Sequence, residues 1–326
     1  MFFWERNENK LRIFAYKDAS ERGKNIVRVA RGRGIWAKLF EDPSKVPNEP
    51  NTIAFVYMLH DPKFYSKGVD VAGKIALKDK VLMIPRPHEA RLFHSKIALS
   101  KAYPEWMPPT WHITDADEAV RVLEKMEFPL VSKSNESFSS VNVRLVKNRN
   151  EALREIELAF SEDGIPMYGG VRQKGYLLWQ EFMPGNKFDY RVFVVGKRFA
   201  ALGKRYVRDD IPFASGSGRD EPMPELNDEA REVLAFSLDF TRKVDRTIAV
   251  MDIVRNKKGG LTMVEVHATW GRTRYSKAAE KLQFRMFEFK DGNWVKSKFF
   301  TTQFFDCIVE AMVNGDFNVP VQKEKI

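Results

Sequence analysis

The chain has 326 residues, 44% of them hydrophobic, a single cysteine and a formal net charge of +10. That length supports two or three small domains sharing continuous cores, and the lone Cys307 excludes an internal disulfide framework and reads as a buried small hydrophobe. Charges follow directly on the bulky start of MFFWERNENK, and no apolar run approaches the roughly 18 residues of a membrane-spanning helix. The expectation is a soluble, cytoplasmic protein with no membrane partner. The cation excess favours anionic partners such as nucleotides, nucleic acid or an acidic polymer or protein tail. The basic groups at Arg28, Arg31 and Arg33, at Lys204, Arg205 and Arg208, and at Arg272 and Arg274 read, each taken alone, more simply as solvated faces.

The first eighty or so residues alternate apolar runs (LRIFAY, TIAFVYML, KVLMI) with helix-compatible stretches, which predicts a small α/β layer with a partly parallel sheet. RGRGIW lacks the full dinucleotide-binding spacing and is a weak phosphate-loop candidate. RLFHSKIALSKAY reads as one short helix ending before the proline joint WMPPTW. Thr114 is expected to cap DADEAVRVLEKM, with Asp117 as capping-box partner and Ala119, Val120, Leu123 and Met126 on one apolar face. FPLVSKS follows as a strand, SFSSVNVRLV as a loop and strand, and EALREIELAF as a helix burying Leu153, Ile156 and Phe160. GYLLWQEFM is a buried strand, and RVFVVGKRFAALGKR a hairpin turning at Gly196 and Lys197. Asn227 is expected to cap DEAREVLAFSLDFTRK, whose Ala230, Val233, Leu234 and Leu238 line one side. FRMFEF and WVKSKFF flank an Asp291-Gly292 turn, and FFDCIVEAMV is helical.

The strands AVMDIV and LTMVEVH are joined through NKKGG, which suits a tight reversal. If Asn256 and Leu261 close the loop, residue 254 pairs with 263 and Asp252 sits directly across from Glu265, their Cβ atoms about 5 Å apart. Two like charges so placed call for something positive between them, most simply a hard dication, and His267 projects from the same face. Alternatively one register step separates the carboxylates, or lysine and arginine neutralise them. Lys133 ends an apolar strand, where it is costly unless it meets an anion or reaches solvent, and taken alone it reads as a snorkelling surface residue. Lys96 lies in a helix, and Lys204 and Arg205 close the hairpin. A triphosphate-magnesium site needs both sets of charges.

From Leu92 to Tyr275 the order of these segments resembles an ATP-grasp domain, in particular the RimK-like glutamate ligases that extend the tail of a ribosomal protein. HSKIALSKAYPEWMPPTW, FPLVSKS, NESFSSVNV, WQEFMPGNKFDYRVFVVG, the hairpin end GKR, MDIV and VEVHATWG carry the likeness. It implies an α/β (α+β) ATP-grasp fold with a small α/β pre-ATP-grasp domain over 1–90, the nucleotide-binding domain over 91–275 and a C-terminal extension over 276–326. It assigns Lys96 and Lys133 to the ATP phosphates, with Lys204 among the nucleotide-binding cations and Ser139 and Ser140 in the covering loop. Glu181, Phe182 and Met183 line the adenine pocket, Asp189 approaches the ribose, and Arg191 and Arg205 face the transferring phosphoryl or activated carboxylate. Asp252, Glu265 and His267 take the magnesium positions.

Two departures stand out. The covering loop has no glycine, which would let backbone N–H groups approach phosphates, and His267 stands where the family places asparagine, although magnesium does not favour imidazole. The chemistry implied is phosphoryl transfer from ATP to a carboxylate, then attack by an amine, with charge stabilisation in place of a protein nucleophile. The rival expectations are a nucleic-acid-binding protein without catalysis and an ATP-grasp kinase.

Overall fold

The computed structural model describes residues 10–17, 21–58, 62–92, 95–136, 142–167, 170, 172–209, 215, 219–268 and 285–317. Strands β1 (Arg12–Tyr16), β2 (Trp36–Phe40), β3 (Thr52–Phe55) and β4 (Val81–Ile84) form a sheet in the order β2-β1-β3-β4. Every neighbouring pair is parallel, not only some of them, because α1 (Arg22–Gly32) and α2 (Pro62–Ala76) each return the chain to the same end of the sheet. Helix α1 lies so close to β1 that a Cβ on Gly23 would stand 2.3 Å from the carbonyl oxygen of Tyr16.

The expected helix around Arg91 is two short ones, α3 (Pro87–Arg91) and α4 (Lys96–Ala102). Ser95 starts the second by accepting a hydrogen bond from the Ala98 N–H at 3.1 Å, an N-cap the continuous reading overlooked.

A second sheet follows, with β5 (Thr110–Ile113), α5 (Ala116–Leu123), β6 (Leu130–Lys133), β7 (Val143–Val146), α6 (Arg149–Phe160), the short pair β8 (Ile165–Pro166) and β9 (Arg172–Gln173), and β10 (Leu177–Glu181). Its order is β5-β10-β6-β7, antiparallel throughout, and α5 and α6 bury Ala119, Leu123, Ala152 and Ile156 against Leu130, Leu177 and Trp179. The cap of α5 is Asp115, which accepts from the Glu118 N–H at 2.7 Å, and not Thr114. Val120 is exposed, because an eight-residue helix presents only a narrow stripe to the sheet and this position lies about 100° of helical turn from Ala119.

The third sheet gathers β11 (Phe188–Val195), β12 (Phe199–Tyr206), β13 (Asp220–Pro222), β14 (Ile248–Arg255), β15 (Leu261–His267), β16 (Arg285–Lys290) and β17 (Asn293–Phe300). The order is β15-β14-β11-β12-β16-β17, with β13 paired to β12. Gly196 and Lys197 both take positive φ at the β11–β12 turn, as do Asp291 and Gly292 between β16 and β17. Helix α7 (Asp228–Lys243), capped by Asn227, covers one face through Ala230, Val233, Leu234 and Leu238. The other face is divided. Phe193, Val195, Phe199, Ala201, Ile248 and Val250 join a core with β1, α1, β3 and the closing helix α8 (Phe304–Val313), whereas the same face further along these strands is charged. Cys307 is fully buried in that shared core. Arg33, from one of the basic groups in the sequence, binds Glu310 at 2.7 Å and Asp306 at 3.4 Å and so ties α1 to α8.

No helix among the described residues is long and apolar enough to cross a membrane. The placement of Gly23 makes a direct test of the α1–β1 contact. Gly23→Ala is expected to destabilise the protein by about 1–3 kcal/mol through overpacking. Gly73→Ala in α2, where a Cβ meets nothing within 4 Å, is expected to gain up to ~1 kcal/mol from helix propensity; urea midpoints of the two variants decide the sign.

Candidate active site

The β14–β15 hairpin sets the position of the acidic pair. Asp252 lies opposite Glu265, as the spacing predicts, but by a different path: Arg255 pairs with Leu261 and Val254 with Thr262, one step from the expected register. A β-bulge inserts Val264 between Met263 and Glu265, and the pairing returns to Asp252–Glu265, Met251–Val266 and Val250–His267. Bulges re-aim groups at functional sites, and here the displaced Val264 carbonyl accepts from Lys133 Nζ at 3.4 Å.

What stands between and around the carboxylates is protein cation. Arg191, directly across from Asp252 in register, donates from Nη1 to Asp252 Oδ1. Arg205 Nη2 donates to Asp252 Oδ2 at 2.6 Å and to Asp189 Oδ2 at 2.7 Å, and its Nε donates to Asp189 Oδ1 at 3.2 Å. Lys96 Nζ is 3.3 Å from Glu265 Oε1 and His267 Nε2 is 3.5 Å from Glu265 Oε2. Of the openings left by the spacing argument, neutralisation by lysine and arginine describes this arrangement. Among the described residues no group of three or more His, Cys, Asp or Glu side chains is gathered to hold a metal.

These charges are mutually dependent. Burial works to raise the Asp252 carboxyl, but Arg191 and then Arg205 bring it below its ordinary value. Glu265 is likewise driven well down against its burial, chiefly by Lys96 and His267. Arg205 is pushed further up by Asp252 and Asp189 in spite of burial. Asp189 goes the other way, up to about 6, because burial and the neighbouring Asp252 outweigh Arg205. Burial lowers Lys133 from 10.5 to about 8. Between those two values the folded chain binds fewer protons than the unfolded one, so the contribution of Lys133 to stability rises with pH across that window.

Two residues absent from the sequence reading hold Lys133. Its ammonium donates to Gln180 Oε1 at 2.6 Å, Gln180 Nε2 donates to Thr110 Oγ1 at 2.9 Å, and Thr110 Oγ1 donates to the Pro108 carbonyl at 2.8 Å. The signal was present in GYLLWQEFM, since a glutamine inside an apolar strand must find partners. Asn135, two residues beyond Lys133, binds the first turn of α4: its Oδ1 accepts from Ser95 Oγ and the Ile97 N–H, both at 3.0 Å. Lys96 and Lys133 are thereby fixed to each other. The space they share is lined by Thr110, Gln180 and Glu265 and by Leu99, Met107 and Leu178.

The remaining sequence candidates fall as follows. Glu181 ends β10, where its N–H donates to the Pro109 carbonyl at 2.9 Å and its Oε1 lies 2.5 Å from Lys257 Nζ in the β14–β15 turn. Phe182 is half-buried and Met183 buried beside it. Lys204 does not belong with them. Neighbouring residues of a strand face opposite ways, so Lys204 lies on the α7 side, bound to Glu229 Oε2 at 2.9 Å, while Arg205 faces Asp252. Asp189 is 4% exposed, and its oxygens are engaged by Arg205 and by the Ser215 hydroxyl. Ser139, Ser140, Arg272 and Arg274 lie outside the described residues.

Among the described residues, Lys96, Lys133, Arg191 and Arg205 thus face the three carboxylates Asp189, Asp252 and Glu265 between the second and third sheets, an arrangement suited to a polyanion. The RimK-like ATP-grasp domain matches residues 96–285, more than half of the chain. Among solved structures, the ATP-grasp ligase PsnB complexed with minimal precursor, Mg and ADP aligns with a TM-score of 0.57 at 12% identity, covering 94% of this chain and 98% of that one. The RimK domain protein ATP-grasp of Sphaerobacter thermophilus gives 0.52 at 17%, covering 82% and 95%. D-alanine–D-alanine ligase of Bacillus anthracis gives 0.53 at 15%, covering 94% and 97%. These likenesses are of fold, and with the sequence match they establish that the chain belongs to the RimK-like ATP-grasp family of ATP-dependent ligases.

Proposed function

We propose that the chain binds ATP with magnesium in the cleft between the second and third sheets and joins a carboxylate to an amine. The observation that carries this reading is the convergence of Lys96 and Lys133 from one side with Arg191 and Arg205 from the other on the Asp252–Glu265 pair. The PsnB relative, solved with Mg and ADP, supports the same nucleotide and metal here.

Glu265 fits a nucleotide-borne magnesium ion, which takes one or two carboxylates and completes its shell with phosphates and water. Asp252, whose oxygens accept from Arg191 and Arg205, would join it only by giving up one of those contacts. Glu265 Oε1 is buried without a hydrogen-bond partner, the kind of acceptor such an ion satisfies. The ion would offset charge on the phosphates. His267 is read as a partner of Glu265, not as a ligand, because its Nε2 faces that carboxylate and imidazole is a poor match for magnesium.

Lys96 and Lys133 hold phosphate oxygens, with Gln180 fixing the second, and the segment Glu181–Met183 meets the base. The substrate carboxylate oxygen attacks the γ-phosphorus as the bond to the β,γ-bridging oxygen breaks and ADP leaves. Arg205, with Arg191 beside it, stabilises the charge on the transferring group. The amine nitrogen then attacks the acyl carbon, phosphate leaves and the amine proton passes to solvent. The flanks 1–90 and 276–326 shape the acceptor site in this reading. The PsnB and Bacillus anthracis relatives, ligases of peptide and amino-acid chemistry by name, favour the peptide-bond-forming type.

Calorimetric titration of magnesium-ATP tests the reading without either substrate. Binding is expected in the wild type and at least about ten-fold weaker in Glu265→Ala; a folded wild type that binds no nucleotide overturns it. Arg205→Ala is expected to lower turnover by about 10²-fold or more while weakening ATP far less, and equal losses in steady-state kinetics and binding would assign it to uniform binding. Triphosphate beside Lys133 raises its pKa again. Titrations near pH 8.5 in buffers of different ionisation enthalpy are therefore expected to show proton uptake that Lys133→Met abolishes.

A further inference from the structure

We infer that Asn135 is a positioning residue for Lys96, through which β6 sets where the first turn of α4 presents that ammonium. The inference rests on the proposed function, in which Lys96 and Lys133 hold the ATP phosphates.

The first N–H groups of a helix have no partner within it, and many helices turn such donors on phosphate. At α4 each of them is taken. The Ser95 N–H donates to the Leu92 carbonyl at 3.4 Å, the Lys96 N–H to the Asn135 carbonyl at 3.2 Å, the Ile97 N–H to Asn135 Oδ1 at 3.0 Å and the Ala98 N–H to Ser95 Oγ at 3.1 Å. Ser95 Oγ in turn donates to Asn135 Oδ1 at 3.0 Å. Asn135 thus binds Ser95, Lys96 and Ile97 in succession. An anion at the start of α4 would be met by the Lys96 side chain and not by the backbone.

Helix α4 has seven residues and is marginal by itself in water, so its place depends on such outside contacts. Asn135 is itself held, since it follows β6 closely and its N–H donates to Tyr176 Oη at 3.1 Å, at the entry to β10. The consequence reaches the opposite wall of the cleft. Lys96 Nζ lies 3.3 Å from Glu265 Oε1, and Lys133 Nζ donates to the Val264 carbonyl at 3.4 Å. Cations from separate elements therefore address consecutive residues of β15 at its bulge. The span between them is set by the short step from Lys133 to Asn135 and by the contacts from Asn135 to α4. An amide suits the position, because its oxygen accepts two hydrogen bonds without bringing a further anion to the lysine side of the cleft.

The test is a double-mutant cycle on the dissociation constant of magnesium-AMPPNP, measured for the wild type, Asn135→Ala, Lys96→Met and the double variant. Asn135→Ala is expected to weaken binding by about ten-fold when Lys96 is present and by less than about two-fold in the Lys96→Met background, where no ammonium is left to place. An equal loss in both backgrounds would make the contact a general prop of the fold, and no loss in either would leave the placement to other contacts; each overturns the inference. So does a Lys96→Met variant that binds as tightly as the wild type.

Should Asn135→Ala fail to fold, Ser95→Ala gives the same comparison from the other side of the contact. A loss of about three-fold or more is expected beside Lys96 and of less than about two-fold without it, and equal losses overturn the role. A wild type that binds no AMPPNP overturns the proposed function and this role with it; a wild type that binds AMPPNP in a cycle without coupling to Lys96 overturns this role alone.

Discussion

Asp252 is a buried carboxylate with a guanidinium on each oxygen, and the geometry of the site follows from that double contact. Arg191 reaches it from β11 and Arg205 from β12, while Asp252 itself comes from β14. Three strands are thus cross-linked through side chains on one face as well as through backbone hydrogen bonds. Removing one partner from such a cluster leaves an uncompensated buried charge, which costs about 3–5 kcal/mol. The arrangement is therefore held by mutual need, and each member keeps the others charged and oriented.

The lysine side is built on a different principle. Lys133 has a neutral partner in Gln180 and a carbonyl in Val264, so hydrogen bonds satisfy its donors without cancelling its charge. Burial then makes that charge less stable, which is why its pKa falls to about 8. An approaching polyanion restores what burial removed. The arginines are neutralised in advance and shaped; the charge of the lysine is offset by Glu265 only in part. The two halves of the cleft are electrostatically unlike for this reason.

Much of this was legible in the sequence because the signals were local. Asn227 ahead of its helix, the Gly196–Lys197 and Asp291–Gly292 turns, and the facing of Asp252 with Glu265 all follow from a few neighbouring residues. The Val264 bulge was not legible, since a correct pairing at Asp252 was reached from a loop closure one residue off, and two compensating shifts leave no mark on spacing. Lys204 was grouped with Arg205 by adjacency, although strand alternation sends them to opposite faces. The capping of α5 by Asp115 in place of Thr114 is the same kind of error, a choice between adjacent competent residues. Gln180 and Thr110 were missed because their role lies in two successive contacts that link three strands far apart in sequence.

The divided face of the third sheet bears on modularity. Phe193 and Val195 on β11, Phe199 and Ala201 on β12, and Ile248 and Val250 on β14 are buried by the N-terminal layer and α8, and the same strands carry Arg191, Arg205 and Asp252 a few residues further on. The stretch that matches the family, 96–285, therefore ends without the partners of its own apolar surface. Excised alone, it would present a contiguous oily patch beside this charged cluster and would be prone to self-association. The family-matching stretch of this chain is thus not a transplantable cassette: its flanks supply the core that packs under the strands bearing the charged cluster.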